Sequence, residues 1–272
     1  MFAAPSRLGV ASGARPRRVP RRRSAMAASD PAPFAVSDDD SLVTFFTHSL
    51  CPYAHRTALA LAEKGVPHRR VHVDLSNKPR WYLELNPRGL VPALETADGA
   101  ILTESLDLVE FVDEAFEGPN LAPPGRELEA RRLARSFDGG FVSAGLQFVG
   151  GGWGFSRGAP DPARRSRFAR ECEALGDLVD ANGGPFLLGA EISVADIAVY
   201  PFAERFETAA REFKRTELRD LGGDGFGRWL DAMRCRPSVE GLRPDEDALL
   251  ASWRRTMRLD YFDYETADVY HP

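Results

Sequence analysis

The sequence has 272 residues, of which 43% are hydrophobic and 28% charged, and its formal net charge is −5. This composition is typical of a globular protein long enough for two modest domains. We expect no membrane-spanning helix, because no run of ~18 consecutive apolar residues occurs. The three widely spaced cysteines, Cys51, Cys172 and Cys235, predict neither a zinc site nor a disulfide framework.

The first 25 residues contain seven arginines and no acidic residue. This composition is typical of an organelle transit peptide and predicts a plastid location, with residues 1–40 forming the transit peptide and a disordered leader. Two alternatives remain open: "RPRRVPRRRS" resembles a nuclear signal, and translation from Met26 would give a cytoplasmic protein. Without those seven charges the formal net charge becomes −12, so the acidic body predicts no nucleic-acid partner.

Residues 41–118 alternate between strand and helix patterns. "LVTFFT" predicts a buried strand, the segment from Pro52 to Gly65 a helix, and "RRVHVDL" a second, parallel strand. A short helix, a hairpin turning at Asp98-Gly99 and a helix opening at Ser105 follow. The order β-α-β-α-β-β-α is that of a thioredoxin-like domain.

After a linker at residues 119–125, residues 126–259 give only helical signals. Asp161 is predicted to cap one helix, which carries Cys172 on its apolar stripe, and Ser193 and Asp196 have capping-box spacing at the start of another. The fold class is therefore α/β plus all-α: a thioredoxin-like domain followed by an all-helical domain. Residues 260–272 form an acidic aromatic tail that either covers a site or stays disordered.

Cys51 is the strongest candidate for chemistry, because it precedes Pro52 at the start of the first helix. A helix N-terminus favours a thiolate, so we expect its pKa below the usual ~8.5. Ala54 stands where a dithiol motif has its second cysteine, so an external thiol must resolve any mixed disulfide. The competing interpretation is inert packing, which we prefer for Cys172.

The segments "SLCPYAHR", "DLSNKPRWYLELNPRGLVPALE", "TESLDLVEFVDEAFEGPNLAP" and "GGPFLLGAEISVADIAVYPFAERF" resemble the cysteine-type glutathione transferases: the omega, lambda and dehydroascorbate reductase classes. The lambda class is the most similar, and the resemblance covers Leu42 to Val239. It implies glutathione as co-substrate, no metal, a small glutathionylated or oxidised acceptor, and a monomer or homodimer.

The resemblance also implies roles for individual residues. Cys51 forms a mixed disulfide with glutathione, and a cis peptide at Val91–Pro92 lets the Val91 backbone pair with the cysteinyl part of glutathione. Glu104 and Ser105 hold the γ-glutamyl part, and Lys78 the glycyl carboxylate. Each of these residues also has an ordinary interpretation when it is considered alone. Those interpretations are a trans proline for Pro92, a solvated charge for Glu104, an N-cap for Ser105 and a surface lysine for Lys78.

Four neighbours of Cys51 carry side chains that can activate a thiol. Tyr53 is interpreted as packing and Ser49 as a possible N-cap, although either hydroxyl is a possible tuner of the thiol; His48 and His55 are expected to be structural. The predicted function is thiol transfer through Cys51, with dehydroascorbate reduction or non-catalytic carriage of aromatic metabolites as alternatives. Trp153 and the aromatic tail favour the carrier alternative. The glycine-rich Phe148–Phe155 segment falls where the acceptor site is expected, so the identity of the acceptor substrate stays undetermined.

Overall fold

The computed structural model describes residues 42–150 and 161–258. The predicted leader, the tail and most of the glycine-rich segment, including Trp153, lie outside these ranges. None of the described helices is long and apolar enough to cross a membrane.

The first domain is built on a four-stranded mixed sheet. Strand β1 pairs in parallel with β2 and antiparallel with β3, which pairs antiparallel with β4, so the strand order is β2-β1-β3-β4. All five residues of β1 are buried, including the two threonines, and Phe45 lies opposite Leu94 of β3. The strands are β1 (Val43–Thr47), β2 (His68–His72), β3 (Ala93–Glu95) and β4 (Ile101–Thr103).

Three helices accompany this sheet and confirm the predicted element order. They are α1 (Pro52–Glu63), α2 (Arg80–Leu85) and α3 (Ser105–Ala115). Helix α1 ends as predicted at Gly65, whose φ of 65° is a left-handed conformation that glycine adopts without steric cost. Strand β2 ends before the predicted Leu75, because the Asp74 carboxylate accepts hydrogen bonds from the Ser76 amide and hydroxyl and turns the chain.

The described part of the second domain is helical, as predicted. Two short π-helical turns interrupt it, Asp138–Val142 before α5 and Ala210–Lys214 after α7. Its helices are α4 (Glu127–Ser136), α5 (Ser143–Gly150), α6 (Pro162–Ala181), α7 (Val194–Ala209), α8 (Arg219–Arg234), α9 (Pro237–Leu242) and α10 (Glu246–Arg258).

Both predicted helix caps are confirmed. The Asp161 carboxylate accepts a hydrogen bond from the Ala163 amide at 2.9 Å, which caps α6. At the start of α7, Ser193 and Asp196 form a capping box, and Asp196 is fully buried. Cys172 is buried on α6, as its apolar stripe predicted.

The two domains share one hydrophobic core. Helix α1 packs against α3 on one side and against α7 of the second domain on the other. Buried aliphatic residues of α1, such as Leu59 and Leu61, belong to the same cluster as the aromatic residues of α5 to α8. The carboxyl end of β1 and the start of α1 therefore lie where the domains meet.

Candidate active site

Cys51 occupies the N-cap of α1, directly after the loop that leaves β1. The loop is held by backbone hydrogen bonds, because the Cys51 amide donates to the His48 carbonyl at 3.0 Å and the His55 amide to the Cys51 carbonyl at 3.0 Å. Pro52 at the first helical position needs no amide partner. Ser49, considered above as one possible N-cap, does not take that position: it lies two residues earlier and is exposed.

Cys51 lines a cleft of about 590 Å³. The cysteine is only 1% exposed, and its thiol donates a long hydrogen bond of 3.8 Å to the Val91 carbonyl. The cleft is lined by residues from both domains: Cys51, Tyr53, Leu75, Asn86, Arg88, Leu90, Val91, Pro92, Thr103, Glu104, Ser105, Leu106, Asp107, Arg135, Asp138 and Leu146.

Burial raises the pKa of the Cys51 thiol above its usual value. The amides of Ala54 and Tyr53 at the helix start oppose this, as do the charges of Arg205 and Arg56, but they do not outweigh desolvation. The sequence-based expectation of a lowered pKa is therefore wrong. The helix N-terminus has the predicted effect, but the depth of burial reverses the net shift.

The raised pKa predicts slow alkylation of free Cys51 at neutral pH. Because only the thiolate reacts, the iodoacetamide rate should keep rising with pH beyond the usual thiol midpoint of ~8.5. Peptide mapping by mass spectrometry distinguishes Cys51 from the exposed Cys235. A midpoint below ~8.5 would show that the helix amides and arginines prevail over burial.

The other cleft wall carries four of the predicted glutathione-binding residues. The Val91–Pro92 peptide is cis, as the resemblance implied. Glu104 precedes α3 with a φ of 68°, a conformation that costs a non-glycine residue roughly 1–3 kcal/mol. Its carboxylate forms an ion pair with Arg88, and Ser105 is buried beside it.

Two predicted residues are not among those that line the cleft. Lys78 is half-buried, and its side chain lies beside Gly89. Ser49 points its carbonyl oxygen toward Arg205 at 3.2 Å. Tyr53 does line the cleft, and its ring packs edge-on against Phe202 with centroids 5.0 Å apart, in agreement with a packing role.

Arg56 was missed by sequence reasoning, although a charge within the Ala- and Leu-rich helix α1 was a visible signal. Its guanidinium is fully buried. It donates to the Ser105 hydroxyl at 3.2 Å and to the Ala198 carbonyl of α7 at 2.7 Å, and it forms an ion pair with Asp138. Arg56 therefore links the wall that carries Ser105 to the second domain.

The histidines near Cys51 are held neutral. Burial, with the neighbouring His72 adding to it, lowers the pKa of His48 to about 4. The His48 ring packs on His72 with centroids 4.7 Å apart, and its Nδ1 accepts from the Leu50 amide. Burial and then Arg205 lower the pKa of His55. Neither histidine supplies a proton acceptor aimed at the Cys51 sulfur in the contacts described.

Among the described residues, no group of three or more His, Cys, Asp or Glu side chains could hold a metal ion. The polar groups lining the cleft are guanidinium, carboxylate, amide and hydroxyl groups around one thiol. Such a set is suited to a flexible, charged, peptide-like ligand.

Comparison with known families agrees with this architecture. The family model "Glutathione S-transferase, N-terminal domain" matches residues 50–115, and "Glutathione S-transferase, C-terminal domain" matches residues 161–232. Together they cover just over half of the chain. The chain belongs to the glutathione S-transferase family. The matched ranges include Cys51, the Val91–Pro92 peptide and the Ser193–Asp196 cap.

Similar proteins point to the cysteine-type group. "Glutathione S-transferase L1" of Arabidopsis thaliana is 32% identical over 80% of this chain and 89% of its own length. "Glutathione S-transferase L2, chloroplastic" of the same plant is 30% identical over 81% of this chain and 73% of its own length. The crystal structure of glutathione transferase Omega 3C from Trametes versicolor is 27% identical, covers 82% of this chain and 94% of its own, and superposes with a TM-score of 0.68.

These findings confirm the resemblance to cysteine-type glutathione transferases, the fold class, and the assignment to the glutathione transferase enzymes.

Proposed function

We propose that this glutathione transferase acts as a thiol transferase, using Cys51 to remove glutathione from glutathionylated small molecules. The observation that carries the proposal is that Cys51 lines the cleft at the start of α1, without a second cysteine beside it. Of the other cysteines, Cys172 is buried inside α6 and Cys235 follows α8.

The proposed reaction consists of two thiol–disulfide exchanges. The Cys51 thiolate attacks the glutathionyl sulfur of a mixed disulfide, a Cys51–glutathione disulfide forms, and the substrate leaves as a thiolate that takes a proton. A free glutathione thiolate then attacks the glutathionyl sulfur bound to Cys51, releasing oxidised glutathione and the Cys51 thiolate. The raised pKa of Cys51 reduces its thiolate fraction, but a more basic thiolate is intrinsically the stronger nucleophile.

Glutathione is proposed to lie along the wall formed by β3, β4 and the start of α3. The Val91 backbone would pair with its cysteinyl part, and Ser105, which opens α3, would donate to the γ-glutamyl carboxylate. Glu104 would meet the γ-glutamyl ammonium and exchange partners with Arg88. Lys78 would have to extend toward the glycyl carboxylate from beside Gly89, since it is not among the residues that line the cleft.

A plastid location is also proposed. It is supported by the arginine-rich, acid-free first 25 residues and by the chloroplastic relative of 30% identity.

The proposal predicts a specific pattern in an activity panel. Purified protein should reduce a glutathionylated disulfide and should conjugate an aryl halide only weakly, because the cysteine competes for the glutathione sulfur and offers no hydroxyl to stabilise its thiolate. Incubation with oxidised glutathione should add about 305 Da to Cys51 by thiol–disulfide exchange, and peptide mapping separates this adduct from any at the exposed Cys235. Dehydroascorbate serves as the third substrate.

Each alternative result of the panel has a clear meaning. Faster reduction of dehydroascorbate than of the disulfide would favour the reductase alternative. Strong conjugation with no adduct would exclude the proposed mechanism and leave Tyr53 or Ser49 as the activating hydroxyl. Binding of aromatic compounds without any of these activities would favour a carrier.

A further inference from the structure

A buried arginine of the second domain contacts the loop that precedes Cys51. Arg205 of α7 is 1% exposed. Its Nε donates to the Leu50 carbonyl at 3.0 Å and its Nη2 to the Ser49 carbonyl at 3.2 Å. Its Nη1 donates to the Pro201 carbonyl at 2.9 Å and lies 3.1 Å from His55 Nδ1. A single planar guanidinium therefore holds the two peptide groups immediately before the reactive cysteine.

The preceding residue places a buried carboxylate beside this guanidinium. A Glu204 oxygen lies 3.7 Å from Arg205 Nη1 and 3.7 Å from His55 Nδ1, and the other lies 3.9 Å from Arg243 Nε. Neither oxygen accepts a hydrogen bond from any residue in the described part of the chain. A buried carboxylate without hydrogen bonds is costly, which makes the position of Glu204 next to Arg205 unusual.

We infer that Arg205 is a positioning residue that fixes the backbone before Cys51 and supports the thiolate with its positive charge, while Glu204 limits that support. The inference rests on the proposed role of Cys51. The two carbonyl contacts require the fork of a guanidinium, which an ammonium group does not reproduce. Because the cluster is buried, its charges are screened less than charges at the surface.

The charges around the cluster set the direction of its pH dependence. Burial raises the pKa of Glu204 to about 7, with Glu207 acting in the same direction and Arg205, Arg243 and Arg234 against it. His55 faces the pair from α1 and stays neutral, because burial lowers its pKa. Above about pH 7 Glu204 is therefore mostly ionised and offsets Arg205, whereas below it Arg205 acts on Cys51 with less opposition. Arg205 also acts on His48, Arg56 acts on Cys51, and Tyr82 interacts with Cys51.

The test compares the pH profile of Cys51 alkylation among variants. Arg205→Met should raise the Cys51 midpoint by about one pH unit, which makes alkylation at pH 7 roughly tenfold slower. Glu204→Gln should lower the midpoint and make alkylation at pH 8 roughly threefold faster, equivalent to about half a pKa unit. Arg205→Lys keeps the charge and should leave the midpoint near that of the wild type, while kcat for thiol transfer falls and KM for glutathione is little changed.

A matched control is Glu212→Gln, since Glu212 pairs with Arg254 and does not contact Arg205. It should leave the alkylation profile unchanged. The inference is overturned if Glu204→Gln slows Cys51 alkylation or leaves its rate unchanged. Because this result comes from Glu204→Gln alone, it holds even if Arg205→Met does not fold. Alkylation needs no glutathione, so it tests Arg205 independently of thiol transfer. If the protein lacks thiol transfer but the alkylation midpoint rises in Arg205→Met and falls in Glu204→Gln, the role of Arg205 is upheld and only the proposed function is refuted.

Discussion

Cys51→Ser should abolish thiol transfer, reducing the rate on a glutathionylated disulfide by roughly 10³-fold or more, as expected when the sole nucleophile of a covalent mechanism is removed. A serine hydroxyl at the start of α1 cannot exchange with a disulfide. The measurement is the steady-state rate with glutathione, together with peptide mapping after oxidised glutathione, which should show no adduct at position 51. Circular dichroism should match that of the wild type.

The other two cysteines provide the controls for this substitution. Cys235→Ser alters an exposed residue and should retain full activity, and Cys172→Ser should retain most activity per folded molecule despite placing a hydroxyl in the core. Aryl-halide conjugation should persist or rise in Cys51→Ser, because the new hydroxyl is available to stabilise the glutathione thiolate. Wild-type thiol transfer by Cys51→Ser would disprove the mechanism.

Asp196→Asn should cause a large loss of stability, because its carboxylate accepts four buried hydrogen bonds. One carboxylate oxygen accepts from the Leu187 amide at 2.9 Å and from Trp229 Nε1 at 2.8 Å. The other accepts from the Ser193 amide at 2.9 Å and its hydroxyl at 2.8 Å. In asparagine one of these two oxygens is replaced by an NH₂ group, which would face two hydrogen-bond donors and accept from neither. At about 1–3 kcal/mol for each buried group left unpaired, the expected loss is roughly 3 kcal/mol.

Urea unfolding monitored by tryptophan fluorescence measures this loss of stability. Asp161→Asn is the matched control, since Asp161 caps α6 at an exposed position through one hydrogen bond, and asparagine caps a helix as well as aspartate does. Its free energy of unfolding should stay within about 0.5 kcal/mol of the wild type. Equal losses in the two variants would mean that the buried network around Asp196 contributes no more than an ordinary cap.

Local signals in the sequence predicted the elements of the fold well. Pro52 and Gly65 bracket α1, Asp98-Gly99 turns the hairpin, and Ser193 with Asp196 starts α7, because each of these residues acts through its own backbone or nearest turn. The end of β2 was misplaced because the Asp74 side chain overrides the alternating pattern that continues to Leu75. The π-helical turn at Asp138–Val142 had no signal in the sequence.

The sequence predicted most of the residues of the candidate site, but not the burial of its thiol. Cys51 and the cleft residues Val91, Pro92, Glu104 and Ser105 follow from motif order, and the structure places them together. Desolvation of the thiol could not be foreseen, since Cys51 is buried by apolar side chains from several separate segments of the first domain that only the folded chain brings together. For the same reason the contact of Arg205 with Ser49 and Leu50, which joins residues more than 150 positions apart, is invisible in the sequence.

The buried Arg56 determines how far this protein can be divided or recombined. Its three partners are the Ser105 hydroxyl, the Asp138 carboxylate and the Ala198 carbonyl, and two of them belong to the helical domain. A fragment that ends after α3 would expose a cation evolved for a dry environment and would lose the groups that neutralise it. A chimaera that joins the first domain to another scaffold, or to the helical domain of a relative, must therefore keep partners for Arg56. These partners are the turn that carries Asp138 and the segment of α7 that contains Ala198.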